Sequence, residues 1–197
     1  MKNVKINVLN EKFLKKPYLY DLYRWCGKSD LFSLIKWILV PKYRIVYLKR
    51  KCEINKRKRN KIRFCFYRMI YGHYMVKYGV DMPASTAIGN GFIIQHIGGI
   101  AINKEAIIGS NVEVLQGVTI GHERRGKRKG SPIIGNNVWI GSNAVVVGKI
   151  EIGNNVLIAP NSFVNFNVPS NSIVVGNPGK VIPSDKATEN YINNVIL

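Results

Sequence analysis

The chain has 197 residues, 46% of them apolar, with 30 Lys plus Arg against 11 Asp plus Glu and a formal net charge of +19. That much apolar material excludes global disorder, and the length allows one domain or a domain with an appendage. The charge is uneven, for residues 1–80 hold 21 Lys/Arg and 4 Asp/Glu (net +17) while residues 81–197 hold 9 and 7 (net +2). Glycine runs the other way, 3 before residue 81 and 15 after it. Two materials meet near Gly79. The expected organisation is a basic, aromatic-rich α-helical cap over 1–80, a repeat domain over 81–184 and a tail over 185–197.

The opening Met-Lys-Asn-Val-Lys-Ile is charged, and no apolar stretch or small-residue cleavage site follows it, so no signal peptide is expected. From Leu31 the apolar residues Leu31, Leu34, Ile35, Ile38 and Leu39 fall on one helical face, with Ser29 or Asp30 as cap and Pro41 as stop. This stretch is too short to span a bilayer, which takes roughly 20 apolar residues. A second helix is expected through Ile62, Cys65, Phe66, Met69, Ile70 and His73, the histidine serving a structural role on an apolar face. Between them Lys49 to Lys61 is dense in positive charge.

Fifteen of the 20 aromatics precede residue 81, nine of them tyrosines. Basic and aromatic residues on short amphipathic helices suit an anionic membrane surface, with Trp25 and Trp37 at headgroup level; a solvated helical cap is the equally weighted alternative. No nucleic-acid recognition motif accompanies the charge. Cys26, Cys52 and Cys65 have no Cys-x-x-Cys spacing, which points to free, mostly packed thiols, a reducing cytosol and no metal site.

From Ile88 an aliphatic residue recurs every six positions: Ile88 and Ile94, then Ile102, Ile108, Val114 and Ile120, then Ile134, Ile140, Val146, Ile152, Ile158 and Val164. A small or apolar residue follows four positions later, from Phe92 and Ala106 through to Ser162 and Val168. A sixfold period is the signature of a hexapeptide parallel β-helix, whose aliphatics form inward ladders and whose Gly and Asn turn the corners. The fold class is therefore mainly β, preceded by a short basic α-helical segment.

Two breaks interrupt the register. Ile94 to Ile102 is a step of eight, a bulge of two residues around Gln95-His96-Ile97-Gly98-Gly99. Ile120 to Ile134 is a step of fourteen, an extended loop at 122–131 bearing Arg124, Arg125, Lys127, Arg128 and Lys129. Insertions in a solenoid project from one face and often build a site. Each break holds a histidine, and the rest of the repeat holds none.

On Asp81-Met-Pro-Ala-Ser-Thr-Ala-Ile-Gly89, Gln95-His96-Ile-Gly-Gly-Ile100, Leu115-Gln-Gly-Val-Thr-Ile-Gly121, Val138-Trp-Ile-Gly-Ser142 and Val175-Gly-Asn-Pro-Gly-Lys180, the chain resembles the left-handed β-helix (hexapeptide-repeat) acetyltransferases. Within them it looks like the serine acetyltransferase branch, closest to colanic acid and capsular polysaccharide O-acetyltransferases. The resemblance implies acetyl-CoA as co-substrate, no metal, and a homotrimer, with trimers associating further as an open alternative. It also implies active sites between neighbouring β-helices.

The family's general base falls on His96 and its carboxylate partner on Asp81. An imidazole takes a hydroxyl proton near neutral pH, and a carboxylate on its other nitrogen fixes the tautomer. His122 matches the loop base of more distant branches, as a second base or substrate contact. Substrate binding falls on Gln95, Arg124, Arg125 and Ser131. The cofactor-binding corners fall on Gly141, Ser142, Ala159, Pro160 and Lys180.

Serine acetyltransferases carry Asp where Gln95 stands and Arg-His-Pro where Gly130-Ser131-Pro132 stands. Each lost charge-assisted partner costs roughly 1.5–3 kcal/mol, which argues against free serine. The expected function is therefore acetyl-CoA-dependent O-acetylation of a bacterial capsular or exopolysaccharide, or of its lipid-linked precursor. Cytoplasmic placement, peripheral to the inner face of the cell membrane, accompanies it. The alternatives are a serine O-acetyltransferase of cysteine biosynthesis and a non-catalytic β-helix scaffold.

Overall fold

A computed structural model describes residues 16–195. The charged opening residues and the last two residues of the tail lie outside that range. Four helices come first: α1 (Pro17–Cys26), α2 (Leu31–Ile38), α3 (Pro41–Arg57) and α4 (Lys61–Tyr78). Local chemistry sets their ends. Proline opens α1 and α3, where its fixed φ suits the first turn. The Asp30 side chain accepts from the Ser33 N–H at 2.9 Å, and Asn60 accepts from Arg63 at 3.0 Å. Gly27 and Gly79 close α1 and α4 in the left-handed conformation.

The cap departs from the apolar faces expected of it. In α2 Leu31, Ile35 and Leu39 are exposed, and the buried residue is Ser33. Only the Leu34, Trp37 and Ile38 side packs, against the cluster around Leu22 and Tyr43, so a two-turn helix leaves its other side uncovered. In α4 Ile62, Cys65, Phe66 and Met69 are likewise exposed, while Phe64, Tyr67, Ile70 and Tyr71 face the core. His73 is exposed as well, edge-on to Tyr74 at 5.2 Å, so it is no packed structural histidine. Trp25 and Trp37 are half-buried against each other at 5.2 Å.

The charge-dense stretch from Lys49 to Lys61 forms the second half of the long helix α3 and the turn into α4, with Lys49 and Arg50 fully buried. Arg50 donates to both Asp21 oxygens (2.8 and 3.2 Å), to Glu53 (3.2 Å) and to the Ile88 carbonyl (2.8 Å). Lys49 donates to Glu53 and to the Thr86 carbonyl. Asp21 also accepts from the Phe92 N–H at 2.9 Å. A buried cluster so fully paired ties α1 and α3 to the start of the solenoid.

The solenoid makes five coils with three walls. The first wall stacks β1 (Val80–Asp81), β4 (Ile100–Ile102), β7 (Thr119–Gly121), β10 (Val145–Val147) and β13 (Phe163–Val164). The second stacks β2 (Ala87–Ile88), β5 (Ile107–Ile108), β8 (Ile133–Ile134) and β11 (Glu151–Ile152). The third stacks β3 (Ile93–Ile94), β6 (Glu113–Val114), β9 (Val138–Ile140), β12 (Val156–Ile158) and β14 (Ser172–Val175). Pairing is parallel until β15 (Lys180–Pro183) returns antiparallel on β14.

The sixfold aliphatics form the inner ladder, with Ile120 paired to Ile102 on one side and Val146 on the other. From Ile94 to Val164 all of them are buried, and so is the second series from Phe92 to Val168; only Ile88 is half-exposed. Asn137, Asn143, Asn155 and Asn161 turn corners at φ between 53° and 59°, which a short polar side chain tolerates. The helices close one end, with Ile45, Val46 and Tyr71 packed over Met82 and Phe92. The tail folds back to α1, where the Arg24 guanidinium donates to the Asn193 carbonyl and the Arg24 backbone carbonyl accepts from the Asn194 side-chain amide at 3.2 Å.

Candidate active site

His96 stands in the bulge between β3 and β4, on the edge joining the third wall to the first. Gly98 and Gly99 complete that bulge at φ 113° and 65°. A Cβ at Gly98 would meet nothing within 4 Å, so backbone conformation alone demands glycine there. The His96 side chain is exposed, and so is Asp81 in β1. The ladder sets Asp81 against Ala101, five positions beyond His96. No hydrogen bond or ion pair joins Asp81 to His96 among the described residues.

Gln95 is engaged elsewhere. Its Nε2 donates to Glu113 at 2.8 Å, and Arg24 holds the other Glu113 oxygen at 3.3 Å. Burial raises the Glu113 pKa, against the hydrogen bond from Gln95 and the charge of Arg24. Gln95 thus joins a buried network that links α1 to the first two coils.

His122 lies where the extended loop leaves the third coil, on the edge between the first and second walls. Its Nδ1 is 2.9 Å from the Glu105 carboxylate and 3.1 Å from Ser131 Oγ, which in turn donates to Asn103 at 3.2 Å. A proton on Nδ1 shared with Glu105 leaves Nε2 as the free basic nitrogen. Neither Glu105 nor Asn103 stood out in the sequence. The loop folds as a hairpin, Glu123 and Gly130 exchanging backbone bonds of 2.9 and 3.0 Å. Arg124 and Arg125 are exposed on it and form no ion pair among the described residues.

The expected cofactor corners fall into one column with His96. Backbone bonds stack Gln95 on Val114 (2.9 Å), Leu115 on Ile140 (3.1 Å), Gly141 on Ile158 (2.8 Å) and Ala159 on Val174 (2.8 Å). Val175 then pairs with Lys180. Gly141, Ser142, Ala159, Pro160 and Lys180 therefore lie along the edge that begins at His96. Three rungs separate the histidine from Ala159, about 14 Å at the spacing of neighbouring strands. Half-buried Leu115 and Gln116 stand between the histidine and the small residues Gly141, Ser142 and Ala159, and Lys180 at the far end is exposed. Gly141 has a packing reason of its own, since a Cβ there would lie 2.6 Å from the Pro160 nitrogen.

A cleft of about 830 Å³ between α3, α4 and the first coil includes neither His96 nor His122. No three His, Cys, Asp or Glu side chains gather as a metal site among the described residues.

The comparisons bear on this edge. Residues 131–165 match the model of the bacterial transferase hexapeptide (six repeats) family. This is a hexapeptide-repeat solenoid. Over 107 residues the chain is 41% identical to a serine acetyltransferase of Staphylococcus aureus (strain Mu50), covering 54% of this chain and 50% of that protein. Serine acetyltransferase 2 of Arabidopsis thaliana is 36% identical over 105 residues, covering 53% of this chain and 32% of that protein. The chain thus spans about half the length, or less, of these curated relatives.

Among solved structures, Neisseria gonorrhoeae serine acetyltransferase in complex with serine aligns at a TM-score of 0.68 and 28% identity, covering 87% of this chain and 70% of that one. The Brucella abortus serine acetyltransferase aligns at 0.71 and 23% identity over 88% and 70%, a likeness of fold. The relatives reported are serine acetyltransferases, and the capsular O-acetyltransferases expected from sequence are not among them.

Proposed function

We propose that this chain is an acyltransferase that moves the acetyl group of acetyl-CoA to an acceptor hydroxyl, and that serine is the acceptor. The observation that carries the activity is the single edge that has His96 at one end and Gly141, Ser142, Ala159, Pro160 and Lys180 stacked along it. A long, thin donor fits such a track, with its thioester by the histidine and a phosphate near Lys180. Acetyl-CoA supplies an activated acetyl group. The imidazole of His96 takes the proton of the acceptor hydroxyl as its oxygen attacks, then returns it to the departing sulfur. Asp81, turned toward the ring, would hold its other nitrogen.

The choice of serine rests on relatives that match at 41% and 36% identity and are named for that substrate. One observation favours a second acceptor, the sugar hydroxyl of a surface polysaccharide. Gln95 is bound to Glu113, and Gly130 and Ser131 stand where an Arg-His pair was expected, so the charges that would grip an amino acid are missing.

His96 and His122 occupy different edges of the first wall. We propose a homotrimer in which the loop at 122–131 of one copy reaches the His96 edge of the next. Release of the CoA thiol, followed with L-serine and with a panel of glycans, tests the reading. Saturable O-acetylserine formation supports the serine acceptor. Turnover with a glycan alone transfers the assignment to the polysaccharide. Turnover with neither at saturating acetyl-CoA overturns the enzyme and leaves a scaffold.

A further inference from the structure

The cap carries a surface that acetyl transfer does not use. Where α3 turns into α4, Lys56, Arg57, Lys58, Arg59, Lys61 and Arg63 are all exposed. None of the six forms an ion pair among the described residues, and the nearby carboxylate of Glu53 is committed to Lys49 and Arg50. On the adjoining helix Ile62 (85% exposed), Phe66 (56%), Met69 (73%) and Val76 (86%) recur every three or four residues within the stretch they occupy or two turns on. From Ile62 to Val76 they extend about 21 Å along α4, at 1.5 Å per residue. Large apolar side chains in that number on one helix are an unpartnered face beside a concentrated positive charge.

We propose that this corner is a docking surface for an anionic lipid bilayer, with Ile62, Phe66 and Met69 seated among the headgroups and the six cations on lipid phosphates. Charge complementarity selects that occupant. A second copy docked on this face about a two-fold axis would bring six like charges against six. A nucleic acid would satisfy the cations but give Ile62 and Met69 no apolar environment. A bilayer interface satisfies both at once. The inference moves the membrane contact away from Trp25 and Trp37, which are half-buried against each other. No helix among the described residues is long and apolar enough to cross a membrane, so the contact is peripheral.

Flotation of the full chain with phosphatidylcholine vesicles containing about 30% phosphatidylglycerol, and with pure phosphatidylcholine vesicles, tests it at low salt. Binding is expected with the anionic vesicles alone. The triple variant Lys58→Gln, Arg59→Gln, Lys61→Gln should lower the vesicle partition about tenfold or more, whereas Lys28→Gln before α2 with Lys36→Gln on it should lower it far less. Phe66→Ser should weaken binding while circular dichroism and size-exclusion elution stay unchanged. Phe66→Trp should show a blue-shifted emission on vesicle addition. The proposal is overturned by equal binding of wild type and triple variant, or by absence of binding at low salt. Charge-dependent binding without the fluorescence shift overturns the seating of Phe66 among the headgroups, for the contact is then electrostatic alone. A change of oligomeric state on Phe66→Ser makes the face an interface between copies.

Discussion

Among the described residues His122 has a carboxylate partner and His96 has none, yet the resemblance puts the base on His96. Both arrangements can serve a general base, and substitution separates them. His96→Ala should reduce turnover about a hundredfold or more with the fold and acetyl-CoA binding retained, as loss of a general base does. Asp81→Asn should reduce it less, since a positioning carboxylate acts through the ring. If His122→Ala and Glu105→Gln abolish turnover while His96→Ala does not, the base is His122. The two histidines were legible because each sits at a break in a sixfold rhythm. Glu105 was not, although it lies 17 positions before His122, close to one coil of the solenoid, and counting by coils would have exposed it. Glu113 and Arg24 were invisible for another reason, because their pairing joins a helix to a strand 89 residues away.

Glu113 also makes a pH prediction at the residue scale. Its folded pKa is raised, chiefly by burial, so the folded state holds the carboxyl proton more tightly than the unfolded state does. The contribution this makes to stability is present below the ordinary carboxylate range and is lost as pH rises through the folded value. Glu113→Gln removes the titrating group, keeps one acceptor oxygen for Arg24 or Gln95 but not both, and should abolish that slope. Denaturant midpoints measured from pH 4 to pH 7 check it: unchanged pH dependence in the variant would show that Glu113 does not titrate as stated.

At the scale of elements, α3 joins the cap to the solenoid through Arg50. The guanidinium is 2% exposed and binds Asp21, Glu53 and the Ile88 carbonyl. Arg50→Ala would leave Asp21 a buried charge without its main partner, a change that costs about 3–5 kcal/mol. The expected outcome is a lowered Tm and early proteolytic loss of the cap while the solenoid persists; an unchanged Tm would show the cluster to be dispensable. This cluster could not be read in advance, because a run of lysines and arginines is normally solvated. The strands were legible because a solenoid wall repeats every coil and its inner ladder is local in sequence. The helices of the cap were legible in part. Periodicity marks which residues share a face of α2 or α4, but only tertiary packing decides how much of it is covered: Leu34, Ile38 and Ile70 of the expected faces pack while Leu31, Ile35, Ile62, Phe66 and Met69 stay exposed.

The whole molecule places its two histidines on separate edges of one wall, which ties activity to assembly. In the proposed homotrimer each site takes His96 from one copy and the 122–131 loop from the next. Subunits of His96→Ala and of His122→Ala are then each defective in a different half of every site. Unfolded together in equal amounts and refolded, random mixing around a three-fold ring leaves about a quarter of the interfaces with both histidines intact. Turnover should therefore recover to about a quarter of wild type, although each variant refolded alone has little. Recovery requires subunit exchange, so mixing the two folded variants should give none until they are denatured. If the co-refolded mixture is no more active than the average of its parents, the two histidines do not meet across a subunit boundary. Activity would then belong to one edge of one chain.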